Sequence, residues 1–405
     1  MFVLLIVLCF LRVTATNNET SPGLLELSYN NNYYFLSTFI VGYGYKMLLL
    51  DTASPLLMIK SSSSEISNNT RGSKGNFDIY SDLCTVSLSL KEPWKREIQI
   101  LNVDRNETFV FTGEDVYPYV IVSHQFVPPF PLNFRGDDII PPIVDWRFHA
   151  DGIFGLGCYS EYKLKPPRAA FYKSSKILSF GLLLDEEDPH IDINHFSEDY
   201  LNSMIWSDKM TDQSLSISSY YFHLYDFSIC GHALLGTFST HYPAVISTTS
   251  KCLSLPREVF NNLCGWLLLD CPANGTPGRD RLCYLGENWR NVEKYPTIEF
   301  RLRANGEIVR ISLKDLIIEE NGLKYVCIMN GTSVDQPLAH PLRNNAFVFG
   351  TLALRAFYVA FNSSAGRIGF SRLYEQVGEE IGMEIRNRWW RIAWVRGDVY
   401  RVRAM

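Results

Sequence analysis

The feature that most constrains the fold of this chain is an apolar strand that runs directly into a tight polar turn, and it occurs twice. The first copy, residues 48–54, reads Leu-Leu-Leu-Asp-Thr-Ala-Ser and places Asp51 where the strand meets the turn. The second copy, residues 244–250, reads Ala-Val-Ile-Ser-Thr-Thr-Ser and has Ser247 at the matching position. Small and hydroxyl-bearing turn residues can hydrogen-bond the backbone and let two chains approach closely. These residues are Thr52, Ala53 and Ser54 in the first turn, and Thr248, Thr249 and Ser250 in the second.

Apolar segments that contain a glycine follow both turns at almost the same distance. Gly155 lies 155 − 51 = 104 residues after Asp51, and Gly350 lies 350 − 247 = 103 residues after Ser247. Two matched turns with matched followers predict an internal duplication, although its period exceeds that of common repeat proteins. The chain of 405 residues is long enough for two lobes of similar size.

Strand signals outnumber helix signals along the whole chain. Abundant Tyr, Phe and β-branched residues favour strands, and turn residues separate the runs. One short helix is predicted from Pro256 to Leu263, with the proline at its start. The segment 184–202, rich in Asp, Glu and Asn, is predicted to cross between the lobes. The clearest strand-like runs are 33–41, 85–90, 97–103, 297–302, 307–313 and 357–361.

A pair of such turns facing each other is suited to a particular chemistry. Two carboxylates a few ångströms apart share one proton, because both cannot ionise at that distance. One then acts as a base towards water while the other donates a proton to a carbonyl oxygen, which hydrolyses an amide without a metal or a covalent intermediate. In this chain Asp51 supplies one carboxylate and Ser247 stands where the second would be.

The chain resembles the pepsin-like aspartic endopeptidases (peptidase family A1) over roughly residues 24–373. The resemblance implies an all-β (mainly β) bilobal fold, in which two related β lobes flank a cleft for an extended peptide. It also implies an acid endopeptidase that uses one aspartate from each lobe, at positions 51 and 247 here. The segments that carry the resemblance are 25–59, 151–157, 220–253, 296–300 with Cys327 downstream, and 348–370.

The departures from the family pattern concern catalysis. Ser247 replaces the second aspartate, and Thr249 replaces the glycine that follows it, a change that could keep the two turns apart. The flap hairpin of the family corresponds to residues 85–103, which lack a tyrosine near 88–90. Three further departures are Ala53 for the first glycine, Met58 for the usual tryptophan, and Lys251 after the second motif.

Three functions are compatible with this pattern. The first is an inactive or weakly active homologue of an aspartic protease that binds peptide or protein in its cleft. The second is a residual endopeptidase that works at acid pH through Asp51. The third is a secreted inhibitor or structural glycoprotein that acts through its outer surface. A serine nucleophile at Ser247 is disfavoured, because no Gly-x-Ser-x-Gly elbow surrounds it.

The chain divides into four predicted parts. Residues 1–15 read as a secretory signal peptide, since an apolar run too short to span a bilayer precedes small residues suited to cleavage. The lobes are then predicted at residues 16–195 and 196–373. A C-terminal extension covers 374–405, and its apolar residues at helical spacing fit a helix packed on its own lobe, a strand extension, or a membrane-surface or partner helix. The expected location is extracellular, or the lumen of the secretory pathway.

Cysteines and sequons agree with a secreted glycoprotein. Eight cysteines outside the predicted signal peptide form an even set of disulfide candidates whose pairing the sequence leaves open. Their spacings do not suit structural zinc, and no cofactor or metal is expected. A formal net charge of −5 gives no reason to expect nucleic acid as a partner, and a monomer is expected. The cysteines are Cys84, Cys158, Cys230, Cys252, Cys264, Cys271, Cys283 and Cys327, and the sequons start at Asn18, Asn68, Asn106, Asn274, Asn330 and Asn362.

Overall fold

The structure is a computed structural model of the 405-residue chain. For the described residues between 75 and 126, the structure describes the backbone only, apart from Gln99, whose side chain is also described. The described residues are 23–30, 33–52, 57–60, 75–80, 84–90, 94–102, 107–126, 150–157, 179–209, 221–235, 241–267, 269, 271, 283–285, 289, 295–320, 323–330, 346–362 and 365–373. The predicted signal peptide and the C-terminal extension therefore lie outside them.

Strands dominate the described residues. More than half of these residues are in strands and far fewer are helical, which confirms the mainly-β prediction. Eleven strands precede residue 196: β1 Gly23–Asn30, β2 Tyr33–Ile40, β3 Gly44–Asp51, β4 Leu57–Lys60, β5 Gly75–Tyr80, β6 Cys84–Leu90, β7 Trp94–Asn102, β8 Glu107–Phe126, β9 Gly152–Gly155, β10 Ser179–Leu183 and β11 His190–Ile193.

The described part of the second half adds fourteen strands. They are β12 Ile205–Trp206, β13 Tyr221–Ile229, β14 His232–Ala233, β15 His241–Ile246, β16 Leu253–Leu255, β17 Cys283–Tyr284, β18 Thr297–Arg301, β19 Ile308–Ser312, β20 Ile317–Glu320, β21 Leu323–Val326, β22 Ile328–Asn330, β23 Phe347–Phe349, β24 Phe357–Asn362 and β25 Arg367–Arg372. The strands predicted from the sequence recur here with ends shifted by at most three residues.

Helices are short in the described part of the chain. The longest, α2 (Arg257–Leu267), carries a buried stripe at positions 259, 260, 263 and 267, the spacing of one helix face. It begins one residue after Pro256 and ends four residues beyond the predicted end. None of the described helices has the length and apolarity needed to cross a bilayer. The helices are α1 Glu198–Leu201, α2 Arg257–Leu267 and α3 Thr351–Leu354, with a 3₁₀ turn at Leu313–Leu316.

The two halves share one strand topology, which supports the predicted duplication. In the first half the strand order is β2-β3-β9-β4-β8, and in the second it is β13-β15-β23-β16-β22. The successive pairings are antiparallel, parallel, antiparallel and parallel in both series. An outer strand also adds to each series at the same place, since β7 pairs with β2 and β18 pairs with β13.

One large sheet draws strands from both halves. Its order is β12-β25-β24-β10-β11-β1-β2-β3-β9-β4-β8-β6-β5, with β7 as a side branch. Strand β24, near the end of the described chain, pairs with β10 through five residue pairs. The rings of Phe180 and Phe361 stack with their centroids 4.3 Å apart. The predicted crossing segment 184–202 contains the buried strand β11 of this sheet and is more than a linker.

The predicted flap hairpin over 85–103 does not form a two-stranded unit in the described residues. Strand β6 pairs with β5 and β8, whereas β7 pairs with β8 and β2. The 20-residue strand β8 pairs with β6 through its residues 119–126 and with β7 through its residues 107–116, so the two strands lie end to end along it. The turn between them, residues 91–93, lies outside the described part of the chain.

Candidate functional site

The first turn is delivered by a buried strand. Leu48 and Leu50 of β3 are fully buried, and Asp51 at the end of β3 is only 3% exposed. Strand β9 runs parallel beside it, and Leu156 N donates to Asp51 O at 2.8 Å. Gly152 permits this packing, because a Cβ there would lie 2.0 Å from Met58 O. The apolar sequence of β3 thus carries a carboxylate to a buried position at the end of the strand.

The second turn is built in the same way. Strand β15 ends at Ile246 beside the parallel strand β23, and Ser247 N donates to Phe349 O at 3.1 Å. The turn closes on itself through a bond from Ser250 N to Ser247 O at 3.3 Å. A Cβ at Gly350 would lie 2.4 Å from the backbone oxygen of Cys252, so the chain that leaves the turn passes directly over this glycine.

Four buried hydrogen bonds join the two turns to each other. Thr52 N donates to Thr248 Oγ1 at 3.1 Å, and Thr248 N donates to Thr52 Oγ1 at 3.2 Å. Each hydroxyl then donates to the strand before the opposite turn: Thr52 Oγ1 to Ile246 O at 3.0 Å, and Thr248 Oγ1 to Leu50 O at 2.8 Å. These buried bonds fix the two turns against each other.

Corresponding residues in these bonds are separated by the same number of positions in the sequence. The two threonines differ by 248 − 52 = 196, and the two acceptor residues by 246 − 50 = 196. The same interval, 247 − 51 = 196, separates Ser247 from Asp51. The structure therefore puts Asp51 and Ser247 at equivalent positions, each directly before the threonine that holds the opposite turn.

Ser247 is satisfied within its own turn. Its Oγ lies 3.1 Å from Thr249 Oγ1, and both residues are almost completely buried. Ser250 is also buried, and its Oγ makes no hydrogen bond in the described part of the chain. A hydroxyl does not ionise at ordinary pH, so this turn offers hydrogen bonds but no second charge.

One expectation about the turns, that Thr249 keeps them apart, is not met. Thr249 does not hold the turns apart, since the threonine bonds between them form with Thr249 buried beside Ser247. Its side chain is directed to its own turn, where it contacts the hydroxyl of Ser247. Met58 is fully buried in the core and Lys251 is half-buried. Ala53 and Ser54 lie outside the described residues.

Two disulfides are formed by the predicted cysteines. One joins Cys252 to Cys327 and anchors the segment that leaves the second turn to the strands β21 and β22. The other joins Cys271 to Cys283. The side chain of Cys84 and the whole of Cys158 lie outside the described part.

The prediction that Cys230 and Cys264 belong to disulfides is wrong in this structure. Both are half-buried free thiols. Cys230 lies in the tight turn between β13 and β14 with a φ of 48°, and no other described sulfur lies within bonding distance of it. Cys264 contacts a sulfur that is already bonded, because Cys271 is paired with Cys283. Burial raises the pKa of both thiols.

The sequons are divided between described and undescribed parts. Asn330 ends β22 and Asn362 ends β24, and both are half-buried. Asn18, Asn68, Asn106 and Asn274 lie outside the described residues. Glycosylation at any of the six stays a prediction.

One polar cluster in the shared sheet was missed by the sequence reasoning. Asp192 of β11 is buried and accepts a 2.6 Å hydrogen bond from the hydroxyl of Tyr358 on β24. Two imidazoles flank its Oδ1, His195 Nε2 at 3.5 Å and His190 Nε2 at 3.9 Å. Burial first, and then the Asp192 charge, raises the pKa of Tyr358. The groups are brought together by the pairing of β10 with both β11 and β24, a contact that local sequence does not reveal.

Comparison with known proteins identifies the fold. The aspartic proteinase from Irpex lacteus matches with a TM-score of 0.58 at 10% identity, over 87% of this chain and 97% of that one. Basic 7S globulin from soybean matches with a TM-score of 0.58 at 15% identity, over 87% of this chain and 95% of that one. No family model matches the sequence, and a search of curated proteins finds no similar sequence. The chain therefore has the pepsin-like fold, in which two related β lobes flank a cleft.

Proposed function

We propose that this protein is a pepsin-like protein that has lost, or nearly lost, endopeptidase activity and uses its cleft to bind peptide or protein. The observation that carries the proposal is Ser247, which takes the position equivalent to Asp51 and bonds to Thr249 within its own turn. The two turns keep the threonine bonds between them, so the frame of a two-carboxylate site is present with one carboxylate.

The missing carboxylate has a large kinetic cost. Removing one positioned acid or base lowers the rate by about 10²–10⁴, and by more when two groups act as a unit. With serine at position 247 no proton is shared between the turns, because the hydroxyl remains neutral. The turn sequences contain no acid other than Asp51. Binding needs none of this chemistry, since a cleft holds an extended chain by hydrogen bonds and side-chain packing.

A second candidate is a residual acid endopeptidase that uses Asp51 alone. Its support is that Asp51 is kept at the end of a buried strand, where a carboxylate is costly to bury and is retained only with compensating contacts. The fold does not choose between the candidates, since a proteinase and a globulin match it with the same TM-score of 0.58. A role through the outer surface, as an inhibitor or structural glycoprotein, is the third candidate.

The proposal includes passage through the secretory route as a glycoprotein. Its support is the pair of disulfides, which form and persist mainly in oxidising compartments. The parts of the chain are proposed as a signal peptide at 1–15, lobes at 16–195 and 196–373, and an extension at 374–405. The proposed partner is a peptide or protein in the cleft of a monomer.

The test is cleavage of an unfolded substrate by the purified mature protein. Reduced and alkylated casein is incubated at pH 3–5 with and without pepstatin, and fragments are measured by mass spectrometry. We expect no pepstatin-sensitive cleavage above that of Asp51→Ala. Pepstatin-sensitive cleavage that Asp51→Ala abolishes would overturn the proposal in favour of the residual enzyme.

Ser247→Asp is the matched gain-of-function variant, with Ser247→Asn as its neutral control. If position 247 is the lost catalytic position, the carboxylate gives pepstatin-sensitive cleavage at acid pH that the amide does not. The carboxylate pair also makes the fold less stable as pH rises. The pair holds a proton more tightly in the folded state, so the stabilisation is present below the unfolded pKa of aspartate and is lost as pH rises through the higher pKa of the folded pair.

Binding is measured separately, by fluorescence anisotropy of labelled alkylated casein with unlabelled casein as competitor. We expect saturable binding by the wild-type protein and by Asp51→Ala. No saturable binding together with no cleavage contradicts the cleft proposal and favours a role through the outer surface.

A further inference from the structure

Three cysteine sulfurs lie together in the second half of the chain. Cys264 is in the last turn of α2, Cys271 follows the helix, and Cys283 is in β17. A hydrogen bond from Leu269 N to Cys264 O bends the chain after α2 back on itself, which returns Cys271 to the helix end. The three Sγ atoms all lie within 4.8 Å of one another.

The distances between these sulfurs distinguish a metal site from a disulfide site. Cys264 Sγ lies 2.6 Å from Cys271 Sγ and 3.8 Å from Cys283 Sγ, while Cys271 and Cys283 are bonded. Thiolates about 2.3 Å from a tetrahedral zinc ion stand about 3.8 Å apart. Non-bonded side-chain atoms pack at about 3.5–4.0 Å. The contact between Cys264 and Cys271 is closer than either arrangement requires, and this points to sulfur–sulfur chemistry.

We propose that Cys264, Cys271 and Cys283 form a thiol–disulfide exchange site in which Cys271 alternates between Cys283 and Cys264 as its partner. In the forward step Cys264 Sγ loses its proton and attacks Cys271 Sγ. The bond between Cys264 and Cys271 forms, the bond between Cys271 and Cys283 breaks, and Cys283 Sγ leaves with the electron pair and takes up a proton. One thiol and one disulfide exist before and after, so the step needs no external oxidant or reductant.

The two connectivities tie different elements together. The bond between Cys271 and Cys283 attaches the segment after α2 to β17, which pairs with β21 next to the disulfide of Cys327. A bond between Cys264 and Cys271 instead closes a loop at the end of α2 and releases β17 from it. The free thiol also changes character, because Cys264 is half-buried whereas Cys283 is fully buried.

Burial controls the rate of exchange. It raises the pKa of the Cys264 thiol to about 12, so only a small fraction is thiolate at neutral pH. The thiolate is the attacking species. While pH is below the pKa, the thiolate fraction rises about tenfold for each unit by which pH increases. The site is therefore slow at neutral pH and responds to base.

Peptide mapping distinguishes the two connectivities. The protein is quenched in acid and denatured, and its free thiols are blocked with N-ethylmaleimide before trypsin digestion. Cleavage after arginine places Cys264 and Cys271 on peptide 258–279 and Cys283 on peptide 282–290. One connectivity gives the two peptides linked, with Cys264 blocked. The other gives peptide 258–279 with an internal disulfide and peptide 282–290 with Cys283 blocked. We expect both forms in the wild-type protein.

Exchange itself is followed by adding excess N-ethylmaleimide to the native protein. The reagent removes the half-buried Cys264 thiol whenever it forms, so the internal-disulfide form should decay at the rate at which the Cys283 thiolate attacks Cys271, and this decay should be faster at pH 9 than at pH 7. Cys264→Ser should leave only the linked peptides, and Cys283→Ser only the internal disulfide. Cys230→Ser, which removes the other described free thiol, should leave the ratio unchanged.

Two results would overturn the exchange site. One is a single connectivity in the wild-type protein at every pH. Another is one bound zinc ion per chain whose removal with EDTA frees all three thiols. The wild-type mapping needs no variant, so misfolding of a serine variant does not affect the test.

Discussion

At the scale of single residues, the hydroxyl groups of two threonines join the two turns. Thr52 and Thr248 each use one hydroxyl to accept a hydrogen bond from the opposite turn and to donate one to the strand before it. Among the described residues, the Ser247 hydroxyl contacts that of Thr249 in its own turn. The frame therefore depends on the threonines and the chemistry on the residues before them. The bonds between the turns therefore do not require a carboxylate at position 247.

Replacing Thr248 with valine should lower the free energy of unfolding by about 2–6 kcal/mol. The change leaves the buried Leu50 carbonyl without its donor and the Thr52 amide without its acceptor, at about 1–3 kcal/mol for each unsatisfied group. Thr38→Val is the matched control, since Thr38 is buried in β2 and its hydroxyl makes one bond, to Gln99 O. Urea denaturation followed by tryptophan fluorescence measures both. Equal losses for the two variants would contradict the special role of Thr248.

At the scale of elements, local pattern predicts strands well and close approach poorly. Alternating and apolar runs place β2, β18, β19 and β24 within a residue or two of their observed ends. The proline before α2 marks the start of the helix, and the buried stripe determines the face that packs. Position 350 requires a glycine because of a different segment, the chain that leaves the second turn at Lys251 and Cys252. No local sequence pattern indicates this requirement.

Two glycine-to-alanine changes should therefore have opposite effects. At Gly350 the added methyl would lie 2.4 Å from Cys252 O, so backbone must move, and we expect a loss of about 1–3 kcal/mol. At Gly265 inside α2 nothing lies within 4 Å of an added Cβ, so alanine should stabilise the helix by about 0.5–1 kcal/mol. Thermal and urea unfolding measure both. A Gly350→Ala protein as stable as wild type would mean that the second turn is not packed as described.

At the scale of the whole molecule, the duplicated halves are not separate bodies. The largest sheet continues from β24 and β25, near the end of the described chain, into β10, β11 and β1 of the first half. The threonine bonds join the halves again at the two turns. A sequence boundary at 195/196 separates the two copies of the motif, yet the structure places strands from both sides of it in one sheet.

The two halves expressed alone should therefore fail to fold as monomers. Residues 16–195 would expose the edge of β10, and residues 196–373 would lack the sheet on which β24 pairs. We expect aggregation of either half alone and a soluble one-to-one complex on co-expression. Size-exclusion chromatography and amide hydrogen exchange provide the readout. A half that elutes as a monomer and unfolds cooperatively would show that the shared sheet is dispensable.

The sequence by itself determined the strand content, the two matched turns and the identity of the residues in them. These follow from local periodicity and from residue chemistry, which neighbours in sequence are enough to define. Only the tertiary structure decided that the two turns are hydrogen-bonded to each other with Thr249 present, and that β24 pairs with β10 of the first half. It also decided which cysteine sulfurs are in contact. These contacts join residues up to 198 positions apart, as between Leu50 and Thr248, and such distances leave no local pattern. The serine at position 247 is read directly from the sequence, but the bonds that join its turn to the turn of Asp51 are a property of the fold.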